Sequence, residues 1–227
     1  MHKIVLLGDS LGMPRPSENV FYENTYPYLL ARKVSGCDVI SRFSRARDTR
    51  LQSSEQQICD DILWLQPDML VMHLGIVDCA PRLFKPIERR IISIVPPFMR
   101  NGVIHFFSKN RSFFTKHRNI VYVEKDEFAR NVWRVCRAAQ QTGSKVIILG
   151  IIMPPVSVLN RSYGFDDNVN EYNKILFNAS KEFQFEFADV NKIISNDSDL
   201  CDDGIHLNKY GNELLASYLL EVIQNCF

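Results

Sequence analysis

No stretch of the 227-residue chain approaches the roughly 20 consecutive apolar residues a membrane-spanning helix requires; the longest apolar runs, 91–99 and 146–153, are short. The opening Met-His-Lys passes directly into a strand-like Ile4-Val5-Leu6-Leu7. A signal peptide would need a longer apolar stretch and a small-residue cleavage site, so a cytoplasmic location is expected. Glycine is scarce at 10 residues, and neither GxxxxGK nor GxGxxG occurs, which removes the common phosphate-cradling loops. The six cysteines (37, 59, 79, 136, 201 and 226) include no CxxC pair. They are expected to be unpaired thiols in a reducing compartment. No His/Cys cluster has metal-ligand spacing, so neither a metal nor a cofactor is expected. The formal net charge is only +1, and no global field favours nucleic acid as a partner. There is also no internal repeat and no low-complexity segment.

What is present is ordinary in amount, 46% hydrophobic and 23% charged, and regular in order. Buried-strand patterns at 3–7, 38–41, 69–72, 145–149 and 186–188 alternate with helical ones at 26–34, 51–65, 126–141, 168–183 and 209–224. The helix over 126–141 carries Phe128, Val132, Val135, Cys136 and Ala139 on one face, the 3.6-residue period of an amphipathic helix. Gly143 then ends it, and Asn208 can cap the last helix. Alternating strands and helices predict an α/β fold, a parallel sheet covered on both faces. Ligands in such sheets bind beyond the carboxyl ends of the strands. The polar segments that follow the first three strands, Gly8-Asp9-Ser10, 42–49 and 73–82, therefore carry most of the functional expectation.

One region breaks the rhythm. About 45 residues separate the third strand from the helix at 126, too many for an ordinary connection. Segment 80–118 holds nine Lys/Arg against the single acid Glu88, a net +8 that leaves −7 for the rest of the chain. It is also rich in isoleucine and phenylalanine. The chain thus reads as one domain, 1–227, with a basic, aromatic insertion at 80–125. The insertion has three readings: a helical cap or lid packing its aromatics on the body, an oligomer contact, or a peripheral membrane contact through 80–118 that docks on anionic membrane or a lipid-linked substrate. Pro96-Pro97 argues against one long amphipathic helix. The oligomeric state stays open.

Two short segments carry chemistry. Ser10, where the first strand ends, can project its hydroxyl over the sheet edge with its own N–H free to stabilise an oxyanion. A serine needs a base to become a nucleophile. Near the other terminus stands Asp203-Gly204-Ile205-His206. This spacing lets the carboxylate reach one ring nitrogen while the other faces outward, and with Ser10 it would complete a Ser–His–Asp arrangement. The bland alternatives are a helix-capping serine and a surface turn. His2, His105 and His117 read as exposed or structural, His73 as a structural histidine at a strand end, and Cys79 as a thiol near the site that a serine triad leaves without a task.

Gly8-Asp9-Ser10-Leu11 and Asp203-xx-His206 resemble the first and last signature blocks of the SGNH/GDSL hydrolase family. Asp48-Thr49 resembles its second block, and Gly75-Ile76-Val77-Asp78 sits where its GxND block belongs. Pro154-Pro155 and Tyr172-Asn173 also look like the family. The resemblance implies a flavodoxin-like, three-layer α/β/α fold with about five strands in order 2-1-3-4-5, and an insertion after the third. It implies ester hydrolysis, often of acetyl or acyl groups on carbohydrates or lipids. Ser10 would be the nucleophile, His206 the general base and then acid, and Asp203 the orienter of His206. Two positions depart from the pattern: the second-block glycine falls at Arg47 and the oxyanion-binding asparagine at Val77. Valine has no donor. Substitutes come from Arg42, Arg45, Arg47, His73 and Arg82, of which an arginine is favoured. With Ser10, the expected oxyanion and substrate-binding residues are Arg47, Gly75, Arg82 and Asp78. The functional expectation is a serine hydrolase forming an acyl-Ser10 intermediate on a small acyl ester, carbohydrate- or lipid-linked. The alternatives are an acyltransferase on the same triad and a catalytically silent binding module.

Overall fold

A computed structural model of the protein describes residues 2–194 and 197–226. Five strands form one parallel sheet: β1 (His2–Gly8), β2 (Cys37–Phe43), β3 (Met69–His73), β4 (Lys145–Leu149) and β5 (Glu186–Ala188), in the order β2-β1-β3-β4-β5. The helices are α1 (Tyr26–Lys33), α2 (Thr49–Gln52), α3 (Glu55–Ile58), α4 (Ile76–Cys79), α5 (Pro86–Ile94), α6 (Pro97–Lys109), α7 (Arg111–Arg118), α8 (Lys125–Gln141), α9 (Val156–Leu159), α10 (Phe165–Phe183) and α11 (Lys209–Cys226).

The period-two alternation of a strand puts successive side chains on opposite faces, and here both faces are apolar. Val5, Leu7, Leu70, Met72, Val146 and Ile148 face a core completed by Phe128, Val132 and Val135 of α8 and Val169 and Leu176 of α10. Ile4, Leu6, Met69, Val71, Ile147 and Leu149 face the opposite core, with Tyr26 and Leu30 of α1 and Leu215 and Leu219 of α11. The result is the expected three-layer α/β/α arrangement with order 2-1-3-4-5. None of the helices in the described residues is long and apolar enough to cross a membrane.

Two expectations change on contact with the structure. The single helix expected over 51–65 is two short helices followed by a wider turn over Cys59–Leu63, where the Trp64 N–H reaches back to the Cys59 carbonyl. The cause is local. Ser53 closes α2, and the Ser54 side chain accepts from the Gln57 N–H to start α3, since serine competes for backbone partners better than it continues a helix. Leu51, in α2, is exposed.

The second concerns residues 80–118, which fold as α5, α6 and α7 between α4 and α8. Phe84, Phe107 and Phe114 interlock, with ring centroids 4.8 and 4.3 Å apart. Most of the segment's other apolar side chains do not pack on the body: Ile87, Ile91, Ile94, Phe98, Phe106 and Phe113 are exposed, and across the three helices only Thr115 is buried.

Candidate active site

The carboxyl ends of β1 and β3 set the position of Ser10. Gly8 pairs with Phe43 on one side and His73 on the other, and a Cβ there would stand 2.6 Å from the His73 carbonyl oxygen. Only glycine lets the three strand ends close up at this point. The chain then turns. Asp9 Oδ1 accepts from the Leu11 N–H at 2.9 Å, and Ser10 opens a short turn over Ser10–Gly12. The first N–H of such a turn has no acceptor within it.

The opposite terminus reaches the same place through a tight loop. Leu200 and Leu207 pair across it, the Cys201 N–H donates to the His206 carbonyl at 2.7 Å, and Gly204 takes φ +67°. Asn208 caps α11 by accepting from the Gly211 N–H at 3.0 Å. Asp203 Oδ1 accepts from the N–H groups of Ile205 (2.9 Å) and His206 (3.0 Å), and Oδ2 lies 2.7 Å from His206 Nδ1. Burial alone would raise the Asp203 carboxyl, but these hydrogen bonds outweigh it and hold it far below the usual carboxylate range. His206 Nε2 is 2.9 Å from Ser10 Oγ. The structure therefore brings the hydroxyl, the imidazole and the carboxylate into one line, 196 residues apart at its widest.

A further residue ties the two loops together. Arg15, on the loop leaving Ser10, holds Asp203 Oδ2 at 3.0 Å and Glu18 at 2.8 Å, while Glu18 accepts from the Asp202 N–H at 3.0 Å. Sequence reasoning missed Arg15; nothing local announces it, because its partner lies at the other end of the chain.

The remaining expected residues divide. Arg47 does not reach the cleft. Its guanidinium is buried and bonded to Ser44 Oγ, the Arg42 carbonyl, Gln52 and Asp61, the last at 3.1 Å. Its N–H donates to the Ser44 carbonyl at 3.4 Å. The cleft is lined instead by Ala46, at the left-handed φ of 56°. Asp78, expected to contact substrate, does not face the cleft: it is fully buried, and Oδ1 accepts from the N–H (2.9 Å) and hydroxyl (2.6 Å) of Thr49, clamping one loop to the next. Burial raises its carboxyl to about 7 against those hydrogen bonds, and burial raises Asp9 to about 7 as well. Gly75, at φ 124°, starts α4 beside Ile151 and shapes the turn rather than facing the cleft. Arg42 is 3.6 Å from Asp61 and Arg45 is exposed away from the cleft lining. His73 is buried, its Nδ1 2.9 Å from the Tyr26 hydroxyl, and burial lowers it to about 4. Burial pushes the Cys79 thiol well up, against thiolate chemistry.

Arg82 does line the cleft. Its Nη2 donates to the Val77 carbonyl at 2.8 Å and its guanidinium lies 4.4 Å over the Tyr122 ring. The cleft has a volume of about 420 Å³. Arg89, Arg111, Tyr122 and Arg161 also line it. None of these four was singled out from the sequence, although the charge imbalance of 80–118 was the available signal for Arg89 and Arg111. Among the described residues no group of His, Cys, Asp and Glu side chains could hold a metal ion.

Comparison with known proteins gives the family and the fold. The sequence profile of the GDSL-like Lipase/Acylhydrolase family matches residues 6–214. No curated protein matches the chain in sequence. Among solved structures, the chain is similar to a lipase/acylhydrolase from Enterococcus faecalis, at 16% identity over 99% of this chain and 96% of that one, with a TM-score of 0.70. It is similar to the acetyl xylan esterase AlAXEase at 16% identity over 97% and 99%, TM-score 0.66. It is also similar to the psychrotrophic esterase EstA from Pseudoalteromonas sp. at 12% identity over 99% and 98%, TM-score 0.64. At these identities the likeness is one of fold.

Proposed function

Because the chain belongs to the GDSL-like lipase/acylhydrolase family, we propose that it hydrolyses a small acyl ester through an acyl-Ser10 intermediate. The observation that carries the reading is the relay of Ser10 Oγ to His206 Nε2 at 2.9 Å and His206 Nδ1 to Asp203 Oδ2 at 2.7 Å. With Nδ1–H donating a hydrogen bond to Asp203, Nε2 is free to accept. As Oγ attacks the acyl carbon, its proton passes to Nε2 and the carbonyl electrons move onto oxygen. Collapse of the tetrahedral intermediate breaks the bond to the alcohol oxygen, which leaves with the proton from Nε2. Water then enters, gives its proton to Nε2 and attacks the acyl-serine. The second collapse releases the carboxylic acid and returns a proton to Ser10 Oγ. Asp203 stays ionised throughout and stabilises the imidazolium, consistent with a carboxyl held far below its usual range.

The oxyanion would meet the Ser10 N–H and, in place of the asparagine for which Val77 stands, the Arg82 guanidinium. The Arg82 hydrogen bond to the Val77 carbonyl supports that assignment, since it fixes a charged donor beside the vacated position. Residues 80–125 act as a cap, supplying Arg82, Arg89, Arg111 and Tyr122 to one wall of the cleft. The acetyl xylan esterase of like fold supports an acetyl or acyl group on a carbohydrate or related small molecule as the substrate class. An active-site-directed fluorophosphonate is expected to label Ser10 of the wild type and not the Ser10→Ala variant. Absence of both labelling and p-nitrophenyl acetate hydrolysis would leave only a silent binding module.

A further inference from the structure

Elsewhere on this chain, several arginines end on carboxylates: Arg15 on Glu18 and Asp203, Arg47 on Asp61, Arg50 on Asp48 and Arg118 on Glu88. The cleft over Ser10 is different. Arg82, Arg89, Arg111 and Arg161 all line it, and none forms an ion pair among the described residues. Three are held by neutral acceptors. Arg82 Nη2 donates to the Val77 carbonyl at 2.8 Å, and Arg89 Nη1 to the Tyr122 hydroxyl at 2.6 Å. Arg111 donates through Nε to Ser162 Oγ at 2.6 Å and through Nη2 to the Pro81 carbonyl at 2.7 Å.

Those bonds orient the guanidinium groups without neutralising them and leave part of each donor fork uncommitted. Arg82 Nε is buried with no partner at all. Among the described residues, the one carboxylate in the cleft lining is Asp203, already committed to His206 and Arg15. Burial, followed by the neighbouring charges of Arg82 and Arg161, lowers Arg111 below the usual guanidinium range, as expected where like charges crowd without a counter-ion. Three oriented guanidinium groups and the exposed Arg161, none of them ion-paired among the described residues, surround one concave site and present uncommitted N–H donors to an anionic ligand.

We propose that the ester taken by this cleft carries a fixed negative charge, a phosphate or carboxylate group, held by Arg89, Arg111 and Arg161 while the ester carbonyl lies between Ser10 and Arg82. The proposal rests on the serine-hydrolase reading for the ester and on the arginine cluster for the charge. It places the specificity of the enzyme in the cap and in the loop after Pro154-Pro155, not in the catalytic relay.

Three matched esters test it: glycerol monoacetate, O-acetylglycerate and acetylglycerol phosphate. The expected result is a kcat/KM for at least one charged ester on the order of 30-fold or more above glycerol monoacetate, consistent with one or two charge-assisted hydrogen bonds. Which charged ester leads distinguishes phosphate from carboxylate. In an Arg89→Gln/Arg161→Gln variant, both positions being exposed, the charged-to-neutral ratio should fall about tenfold. Charged esters turned over no faster than glycerol monoacetate, or a ratio the variant does not change, would overturn the proposal while leaving Ser10 hydrolysis intact. Glycerol 3-phosphate binding to Ser10→Ala separates the two readings. Tighter binding than glycerol, lost in the arginine variant, supports the anion site even if Ser10 never labels; glycerol 3-phosphate and glycerate both binding no tighter than glycerol overturns it.

Discussion

The two walls of the cleft are made in opposite ways. On the body side, α8 buries Phe128, Val132, Val135, Cys136 and Ala139 against the sheet, and Ser10 stands on a strand end that neighbours on both sides constrain. On the side formed by residues 80–118, α5 and α6 have no buried side chain, and Ile94 and Phe98 are among the most exposed apolar side chains of the described residues. Within the segment, the Phe84–Phe107–Phe114 stack, Arg111 to Pro81 and Arg118 to Leu83 and Glu88 hold the helices together, while Arg111 to Ser162 and the Tyr163 N–H to Thr115 tie them to the residues after β4. Apolar burial fixes geometry within fractions of an ångström, whereas a polar-tied segment of low burial opens at little cost. Chemistry placed on the first wall and recognition on the second would then vary independently.

Substitutions on the two walls should differ in kind and size. The largest effect is expected at Ser10→Ala, a loss of at least about 10³-fold in kcat in steady-state ester hydrolysis. Phe128→Ala should cost about 3–5 kcal/mol of stability in denaturant titrations, while Phe98→Ala, on the exposed side of the cap, should change it by less than about 0.5 kcal/mol. Equal losses at the two phenylalanines would erase the distinction between the walls. Arg82→Leu should lower kcat by about 10²-fold if its guanidinium meets the oxyanion.

A smaller effect is expected from Asp78, through pH. Its carboxyl is raised by burial to about 7 from an ordinary value of 3.8. The folded state thus holds the proton more tightly than the unfolded chain, so its contribution is full below about pH 4 and is lost as pH rises through about 7. Asp9 has the same sign. Stability should fall between pH 5 and 8, by on the order of 2 kcal/mol for each group. Asp78→Asn keeps an acceptor for Thr49 and should reduce that slope, read from denaturation midpoints across the range. A slope unchanged by the substitution would show that Asp78 is ionised in the folded protein at all these pH values.

Much of this was legible in the sequence, for reasons that differ by region. The strands and α8 announce themselves because burial on one or both faces imposes a period on the residues. The three relay residues could be named because each sits in a short local pattern, a serine at a strand end and an aspartate three residues before a histidine. What was not legible depends on partners distant in the chain. Arg47 reads as a loop cation until Asp61 and Gln52 are seen to enclose it. Arg15 is silent until Asp203 arrives beside it. Ala46 gives no sign of its left-handed backbone, and Arg161 falls outside the basic segment that marks Arg89 and Arg111. The helix expected over 51–65 failed because two adjacent serines offered the backbone better local partners than the helix did.

The most direct test mixes the protein with p-nitrophenyl acetate and follows the first turnover, with mass analysis of the quenched protein. A burst of p-nitrophenol and an acetyl group on Ser10 are expected, both lost in Ser10→Ala. Acetate released with no acetyl group ever found on Ser10, or found on another side chain with Ser10→Ala fully active, would contradict it.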